Sequence, residues 1–241
     1  ARDRAVSLVT PTATLDDFGA VGLVVEAVSE DLALKRAVFA ELGRATAPGC
    51  LLASSTSALD VDELARASGR PASVVGHHFC GPPDEAAVVE IVRGAATSAE
   101  TIAASVAIVR RLGKIGVAVG NAPGFVADRM LALCRREAAL LLEEGTSAAQ
   151  LDRALSAFGL SMGPFRMQGA AGIDLGAHPQ GRGVTHRAVT DAEIVHRLTA
   201  ALANEGARVL GDGLAARAGD IDVISCGGLG FPRYRGGPMF Y

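Results

Sequence analysis

The residues best suited to chemistry are a histidine and a glutamate carried by two neighbouring apolar segments. His78 lies in the run Ser73 to Phe79, just before the turn Gly81-Pro82-Pro83, which places an imidazole at the end of a predicted strand. Glu90 lies inside the apolar run Val88 to Val92, where an ionised carboxylate needs a partner. A hydrogen bond between the two side chains fixes the imidazole tautomer and stabilises its protonated form, which suits a general base near neutral pH.

Each polar residue near these strand ends also has a structural interpretation. A histidine in such a place is often a solvated turn residue, and His77, which faces the other side of its strand, is interpreted as structural. Ser55-Thr56-Ser57 precedes a predicted helix, so its hydroxyls either cap that helix or face the sheet edge. Glu30 suits the first turn of a helix, and Lys35 on a helix face is often a solvated charge.

Short apolar runs alternate with helical patterns through the first half of the chain. Strands are predicted at 21–28, 50–53, 73–79, 88–92 and 115–119, and helices at 31–42, 60–67 and 99–112. Strands separated by helices indicate an α/β fold with a mainly parallel sheet covered on both faces. Glu30, Ser57 and His78 lie at or just past predicted strand ends, so we expect them to gather at the edge where such sheets bind ligands.

The pattern becomes purely helical after Asn121-Ala122-Pro123-Gly124, with helices predicted at 125–144 and 151–158. Blocks of this region then recur, which predicts a duplicated helical unit that buries one face against its copy. The alternative is a pair of amphipathic helices that merely end in glycine. Three blocks are repeated: Glu137–Gly145 as Glu205–Gly213, Leu151-Asp152 as Ile221-Asp222, and Gly159-Leu160-Ser161-Met162-Gly163-Pro164-Phe165 as Gly228-Leu229-Gly230-Phe231 with Gly237-Pro238-Met239-Phe240.

These patterns divide the chain into three predicted parts. They are an α/β domain at 1–120, a first helical copy at 121–176, and a linker with the second copy at 177–241. The segment Gly176 to Arg187 reads as the linker.

Composition excludes several classes of protein and binding site. The net charge of the 241 residues is -3 and no long run of Lys or Arg occurs, so nucleic acid is not an expected partner. The four cysteines are far apart with no C-x-x-C pair, which argues against a metal site and a disulfide framework and favours a reduced, cytoplasmic setting. No apolar stretch is long enough to predict a membrane span.

Six motifs, in order and spacing, resemble the L-3-hydroxyacyl-CoA dehydrogenases. The resemblance extends to multifunctional fatty-acid oxidation enzymes, in which the dehydrogenase region is fused to an enoyl-CoA hydratase. Residues 228–241 resemble the multifunctional enzymes more than the short dimeric ones. The motifs are Glu26-Ala27-Val28-Ser29-Glu30, Ser55-Thr56-Ser57, His78-Phe79-Cys80-Gly81-Pro82, Glu90, Pro123-Gly124-Phe125-Val126-Ala127-Asp128-Arg129 and Met162-Gly163-Pro164-Phe165.

The resemblance implies a partial Rossmann-like domain, an all-α domain, and NAD-dependent interconversion of L-3-hydroxyacyl-CoA and 3-oxoacyl-CoA in fatty-acid β-oxidation. It implies that His78 takes the proton of the 3-hydroxyl, that Glu90 orients His78, and that Ser57 hydrogen-bonds the reacting oxygen and the cofactor. Asp128 corresponds to a substrate-binding position. The residues assigned to the cofactor are Val28, Ser29, Glu30, Lys35, Ser57 and Gly81. The implied partners are an acyl-CoA thioester and either a second copy of the chain or a fused or associated enoyl-CoA hydratase.

Three departures from the family pattern each replace an asparagine. Ser55, Gly81 and Asp128 stand at those positions, and an ionised Asp128 can only accept hydrogen bonds where an asparagine also donates. The family's Gly-rich phosphate-binding turn is not found either, as if the chain began about one βαβ unit late. These departures support an alternative function, a catalytically impaired remnant that binds acyl-CoA or serves in assembly.

Overall fold

The computed structural model describes residues 2–161 and 187–241 and contains a five-stranded sheet in the order β1-β2-β3-β4-β5. Strands β1 to β3 are parallel, β4 runs antiparallel to β3, and β5 is parallel to β4. The predicted mainly parallel sheet is therefore confirmed. The strands are β1 (Leu23–Glu26), β2 (Leu51–Ser54), β3 (Val74–Phe79), β4 (Val88–Arg93) and β5 (Ile115–Gly120).

Eight α-helices lie in the described part of the chain, and the predicted ones occur within a few residues of their expected bounds. Side-chain caps explain where several of them begin, since Asp31, Asp60 and Ser98 each accept a backbone N–H from the first turn. The helices are α1 (Arg2–Val6), α2 (Leu32–Ala45), α3 (Val61–Ser68), α4 (Ala99–Arg111), α5 (Ala127–Glu143), α6 (Ala148–Phe158), α7 (Asp191–Gly211) and α8 (Ala218–Gly228).

The sheet separates two hydrophobic clusters because successive strand residues point to opposite faces. One face carries Ala53, Val75 and Ile91, which pack with Val109 of α4 in the smaller cluster. The other face carries Leu52 and Val74 and joins α2, α3 and the helical part in one continuous core. This larger core joins the helical part to the sheet, so the strand ends are held at a fixed distance from α5.

The helical part is built from two similar helix pairs, α5 with α6 and α7 with α8, and α7 packs on both α5 and α6. The repeated sequence blocks end in matching turns, because Gly145 and Gly213 both have positive φ and follow equivalent helix ends. The predicted duplication of a helical unit is therefore confirmed.

The two copies are joined by reciprocal ion pairs. Arg129 of α5 binds Glu205 of α7 at 2.6 Å, and Arg197 of α7 binds Glu137 of α5 at 2.6 Å. Arginine and glutamate occupy the same relative positions in the two helices, so the pairs are related by a local two-fold axis. This is the isologous arrangement of a symmetric dimer, formed here within one chain.

Two sequence predictions fall outside the described residues, namely the motif Met162-Gly163-Pro164-Phe165 and all of the linker before its last residue, Arg187. Of the helices that are described, none combines the length and apolar character needed to cross a bilayer.

His77 is buried in β3, with 3% of its surface exposed, and its Nε2 atom has no hydrogen-bond partner among the described residues. Burial lowers the pKa of His77 to about 4. The unfolded chain therefore takes up a proton at this residue between pH 6.5 and about 4 and the folded chain does not. The stability of the fold consequently rises with pH across this window.

We expect His77→Gln to flatten that rise by up to about 3 kcal/mol, because glutamine does not titrate. Denaturant unfolding of both proteins at several pH values between about 4 and 6.5 measures the effect. The neighbouring His78 titrates in both proteins, so its contribution cancels in the difference. An unchanged pH slope in the variant would contradict the assignment.

Candidate active site

The antiparallel pairing of β3 and β4 places His78 directly opposite Glu90. The Nδ1 atom of His78 lies 2.6 Å from Oε2 of Glu90, and both residues are buried, with 8% and 0% of their surfaces exposed. A carboxylate at Nδ1 fixes the tautomer in which Nε2 is the free ring nitrogen. The predicted contact between these two side chains is therefore present, with Nε2 left to exchange a proton.

The second oxygen of Glu90 holds the start of α5. Its Oε1 atom accepts the backbone N–H groups of Val126 and Ala127, each at 2.9 Å. These are donors that the first turn of a helix leaves unsatisfied, and the positive end of the helix dipole favours a carboxylate there. Glu90 thus links β3, β4 and α5 through three hydrogen bonds.

An unusual backbone turn brings those N–H groups to Glu90. Gly124 and Phe125 both have positive φ, 73° and 46°, and Phe125 is a bulky residue for which this conformation costs roughly 1–3 kcal/mol. Phe125 is fully buried, and its ring centroid lies 5.6 Å from that of His78. The strain is held by packing, and it fixes both the helix start and one wall beside the imidazole.

Three carboxylates shape the charge of His78. Burial alone lowers the pKa of His78, but the hydrogen bond and charge of Glu90, followed by the charges of Asp128 and Glu30, outweigh it and raise the pKa above its ordinary value. Compared with water, the site therefore favours the imidazolium form of His78. An imidazole in this setting can donate a proton to a carbonyl oxygen or, at higher pH, take one from a hydroxyl.

A second polar cluster lies at the carboxyl ends of β1 and β2. Glu26 and Lys35 form an ion pair of 2.7 Å with 1% of each side chain exposed. The Oε2 atom of Glu26 accepts Ser54 Oγ at 2.6 Å, and its Oε1 also accepts the N–H of Val28 at 2.7 Å. A buried ion pair needs such additional bonds, and here they define the path of the turn that follows β1.

That turn presents Glu30 to the loop after β2. Its Oε1 atom accepts Thr56 Oγ1 at 2.5 Å and the backbone N–H of Ser57 at 3.0 Å, and its Oε2 lies 3.4 Å from Lys35 Nζ. Burial alone raises the pKa of Glu30, but the hydrogen bonds from Thr56 and Ser57 and the charge of Lys35 hold it below the ordinary value. Glu30 is therefore an anion whose position is set by β1, β2 and α2 together.

The remaining sequence-predicted residues occupy different surroundings. Lys35 is 1% exposed and also donates to the carbonyl of Val28 at 3.1 Å, so it is directed at the protein interior. Ser29 is exposed in the turn after β1. Gly81 is exposed in the turn after β3, with a φ of 119° that glycine adopts readily. Asp128 lies in the first turn of α5, and its charge acts on His78.

Glu26 and Phe125 were placed within sequence motifs, but neither residue was assigned a role in the site. Glu26 follows two valines in an apolar segment, as Glu90 does, so the argument that a buried carboxylate needs a partner applied to both. Phe125 follows a Pro-Gly turn, but nothing in the sequence indicates that it has positive φ where an ordinary residue at the start of a helix has negative φ.

One group of potential metal ligands occurs among the described residues, and it includes the His78–Glu90 pair. Ligand atoms of His78, Cys80 and Glu90 lie within 4.8 Å of one another. Burial and the charges of Glu90 and Asp128 raise the pKa of the Cys80 thiol, which keeps it protonated. Since both oxygens of Glu90 already accept hydrogen bonds, this geometry is explained without a metal ion.

Comparison with known proteins identifies the family. The profile of the 3-hydroxyacyl-CoA dehydrogenase NAD-binding domain matches residues 1–122, and that of the C-terminal domain matches residues 124–191. The peroxisomal bifunctional enzyme of Danio rerio is 38% identical over 98% of this chain. The chain belongs to the 3-hydroxyacyl-CoA dehydrogenase family. The alignment with the zebrafish enzyme runs over 308 residues against 241 in this chain, so that family member carries additional residues inside the matched region.

Other family members show similarity of sequence and of fold. The fatty acid oxidation complex subunit alpha of Shewanella baltica is 32% identical over the whole of this chain. The 3-hydroxybutyryl-CoA dehydrogenase of Escherichia coli K12 superposes with a TM-score of 0.67 at 27% identity, covering 90% of this chain and 45% of its own. The chain spans 43% of the length of the zebrafish enzyme and 42% of the Shewanella subunit.

We expect Glu90→Gln to lower the pKa of His78, because burial would remain while the carboxylate that stabilises the imidazolium is lost. The same change should reduce the free energy of unfolding by about 2 kcal/mol, since hydrogen bonds to a charged group are replaced by neutral ones. An NMR titration of the histidine ring resonances measures the pKa, and denaturant unfolding measures the stability. The resonance of His78 is assigned by its absence in His78→Gln.

Glu85→Gln is the matched control for Glu90, because Glu85 is an exposed carboxylate in the turn between the same two strands. It should leave both measurements unchanged. A Glu90 variant whose His78 titrates as in the wild type would show that the carboxylate does not control the imidazole.

Proposed function

We propose that this chain is an NAD-dependent oxidoreductase that interconverts L-3-hydroxyacyl-CoA and 3-oxoacyl-CoA in fatty-acid β-oxidation. The observation that carries the proposal is the buried His78–Glu90 pair, which leaves one imidazole nitrogen available at the same sheet edge as Glu30 and Ser57. Membership of the dehydrogenase family supports the same reaction.

His78 is the catalytic residue in this proposal. Its Nε2 takes the proton from the 3-hydroxyl when the hydroxyacyl thioester is oxidised, and returns a proton to the carbonyl oxygen in the reverse direction. Glu90 keeps Nδ1 protonated and stabilises the imidazolium that forms. The hydroxyl of Ser57 is exposed and donates only a long hydrogen bond, 3.5 Å, to Oε1 of Glu30, so it can rotate to donate to the reacting oxygen instead.

NAD supplies the hydride acceptor when it is bound. The residues present fit its nicotinamide-ribose end, where Glu30 offers a partly exposed carboxylate, Ser57 a hydroxyl, and Val28 and Ser29 main-chain atoms. The buried ammonium group of Lys35 helps to set the position of Glu30. The same turn does not suit a pyrophosphate, because Asp31 already accepts the N–H of Leu34 at the start of α2.

The wider assignments belong to the same proposal. We keep the division into 1–120, 121–176 and 177–241, which is supported by the end of the sheet at Gly120 and the start of α5 at Ala127. The proposed substrate is an acyl-CoA thioester. The proposed partner is either a second copy of the chain or an enoyl-CoA hydratase that is fused to it or associated with it. Two relatives support this, since one is named a bifunctional enzyme and the other a complex subunit. A cytoplasmic location remains a prediction, since one of those relatives is named peroxisomal.

The second candidate function is an acyl-CoA-binding or assembly module with impaired catalysis. Asp128 favours it, because a carboxylate acts on the imidazole from a position where related enzymes offer an amide. The two functions differ in turnover and not in binding.

We expect the chain to oxidise NADH when acetoacetyl-CoA is added, and His78→Ala to reduce that rate by about 100-fold or more. Loss of nicotinamide absorbance measures turnover, and circular dichroism establishes that the variant is folded. Equal rates in the two proteins would refute the role of His78. Acetoacetyl-CoA binding without turnover in the wild type would favour the binding module.

The rate of acetoacetyl-CoA reduction should decrease as pH rises, and we expect Asp128→Asn to shift this decrease to lower pH. Reduction requires a protonated His78 and declines as pH rises through the pKa of that residue, which the charge of Asp128 helps to raise. The new amide also regains a donor toward the substrate oxygen. At low pH, where His78 is protonated in both proteins, we expect kcat/KM to rise roughly tenfold, below the 100-fold of a buried oxyanion donor, because residue 128 is only partly buried.

The pH–rate profiles of the two proteins measure this effect. Asp84→Asn, an exposed carboxylate in the turn after β3, serves as the control and should leave the profile in place. A profile that moves to higher pH in Asp128→Asn would contradict the electrostatic argument.

A further inference from the structure

The reciprocal ion pairs between the helical copies are alike in geometry but not in their surroundings. Arg129 donates to Oε1 of Glu205 through Nε at 2.8 Å and Nη2 at 2.6 Å, and to Asp212 through Nη1 at 2.9 Å. Its equivalent, Arg197, donates to Glu137 at 2.6 Å and to Glu144 at 2.7 Å. Each arginine therefore clamps the opposite helix at two carboxylates in corresponding positions.

Only the Arg129 clamp adjoins the candidate active site. Arg129 is in the first turn of α5, directly after Asp128 and two residues from Ala127, whose N–H binds Glu90. Arg197 lies in α7, and its partners Glu137 and Glu144 are in the last half of α5 and just beyond its end. The local two-fold axis thus puts one clamp at the catalytic end of α5 and the other at the far end.

A continuous series of short contacts connects Glu205 to the imidazole. Glu205 holds Arg129 at 2.6 Å, the first turn of α5 holds Glu90 at 2.9 Å, and Glu90 holds His78 at 2.6 Å. Glu205 has 5% of its side chain exposed, so its charge is poorly screened by solvent. The strained turn at Phe125 immediately precedes this helix start, which makes its position sensitive to what anchors it.

We propose that Glu205, from the second helical copy, is a positioning residue for the His78–Glu90 pair and acts through Arg129 and the first turn of α5. The second copy thereby takes part in catalysis without contacting the substrate. The inference deepens the proposed function and rests on it only in assigning proton transfer to His78.

The test compares Glu205→Gln with Glu137→Gln, because the local two-fold axis makes Glu137 the equivalent acceptor in the other clamp. Both variants remove one charge from an α5–α7 ion pair, so each should lower the melting temperature by about 2–4 °C. Glu205 also pairs with Arg208 within α7 at 3.4 Å, but Arg208 is largely exposed, so that pair adds little to the loss of stability. Glu205→Gln should also lower kcat for acetoacetyl-CoA reduction roughly tenfold with little change in KM, and move the NMR titration of His78 to lower pH. Glu137→Gln should leave kcat and the titration unchanged.

A purely structural role for Glu205 predicts the same kcat and the same His78 titration in the two variants, and that result would overturn the proposal. If Glu205→Gln does not fold, Asp212→Asn gives the test instead. Asp212 is the outer acceptor of Arg129, with 56% of its side chain exposed, and its equivalent control is Glu144→Gln. Asp212→Asn should move the His78 titration in the same direction by a smaller amount, and no movement would refute the coupling.

The NMR titration needs no turnover. A wild-type chain without activity would therefore count against the proposed function, while the difference between the Glu205 and Glu137 variants would still decide the coupling.

Discussion

The arrangement of this molecule depends on one buried carboxylate with two tasks. One oxygen of Glu90 holds the imidazole of His78, and the other holds the start of α5. A charge with no exposed surface is tolerable in a protein core only when its oxygens are satisfied, so the antiparallel strand pair and the helix must both stay in place. The same bonds that make the charge tolerable fix the orientation of the His78 imidazole.

Glu26, at the end of β1, is likewise a buried carboxylate, and a different set of partners satisfies its oxygens. It neutralises the buried cation of Lys35 and accepts hydrogen bonds from Ser54 and Val28. Glu30 is then held on the turn by contacts with the loop after β2. The His78–Glu90 pair and the proposed ribose-binding carboxylate are therefore supported by two separate buried networks.

Much of the fold followed from the sequence because apolar spacing reports which elements are half buried. The five strands and the helices from α2 to α6 lie close to their predicted bounds, and the pairing of His78 with Glu90 followed from a charged residue in an apolar run. The conformation of Phe125 could not be predicted, since a bulky residue takes positive φ only where tertiary packing enforces it. The ion pairs of Arg129 and Arg197 could not be predicted either. A charged residue on a helix face is interpreted as solvated unless the position of the neighbouring helix is known.

The duplication of the helical unit has an evolutionary consequence. In a dimer of identical chains, a substitution at a two-fold interface appears twice, so both copies of a contact must accept it. Here Arg129 with Glu205 and Arg197 with Glu137 are encoded by separate codons. Selection can therefore preserve the contact nearer the imidazole while the distant one drifts, so the two contacts become free to specialise.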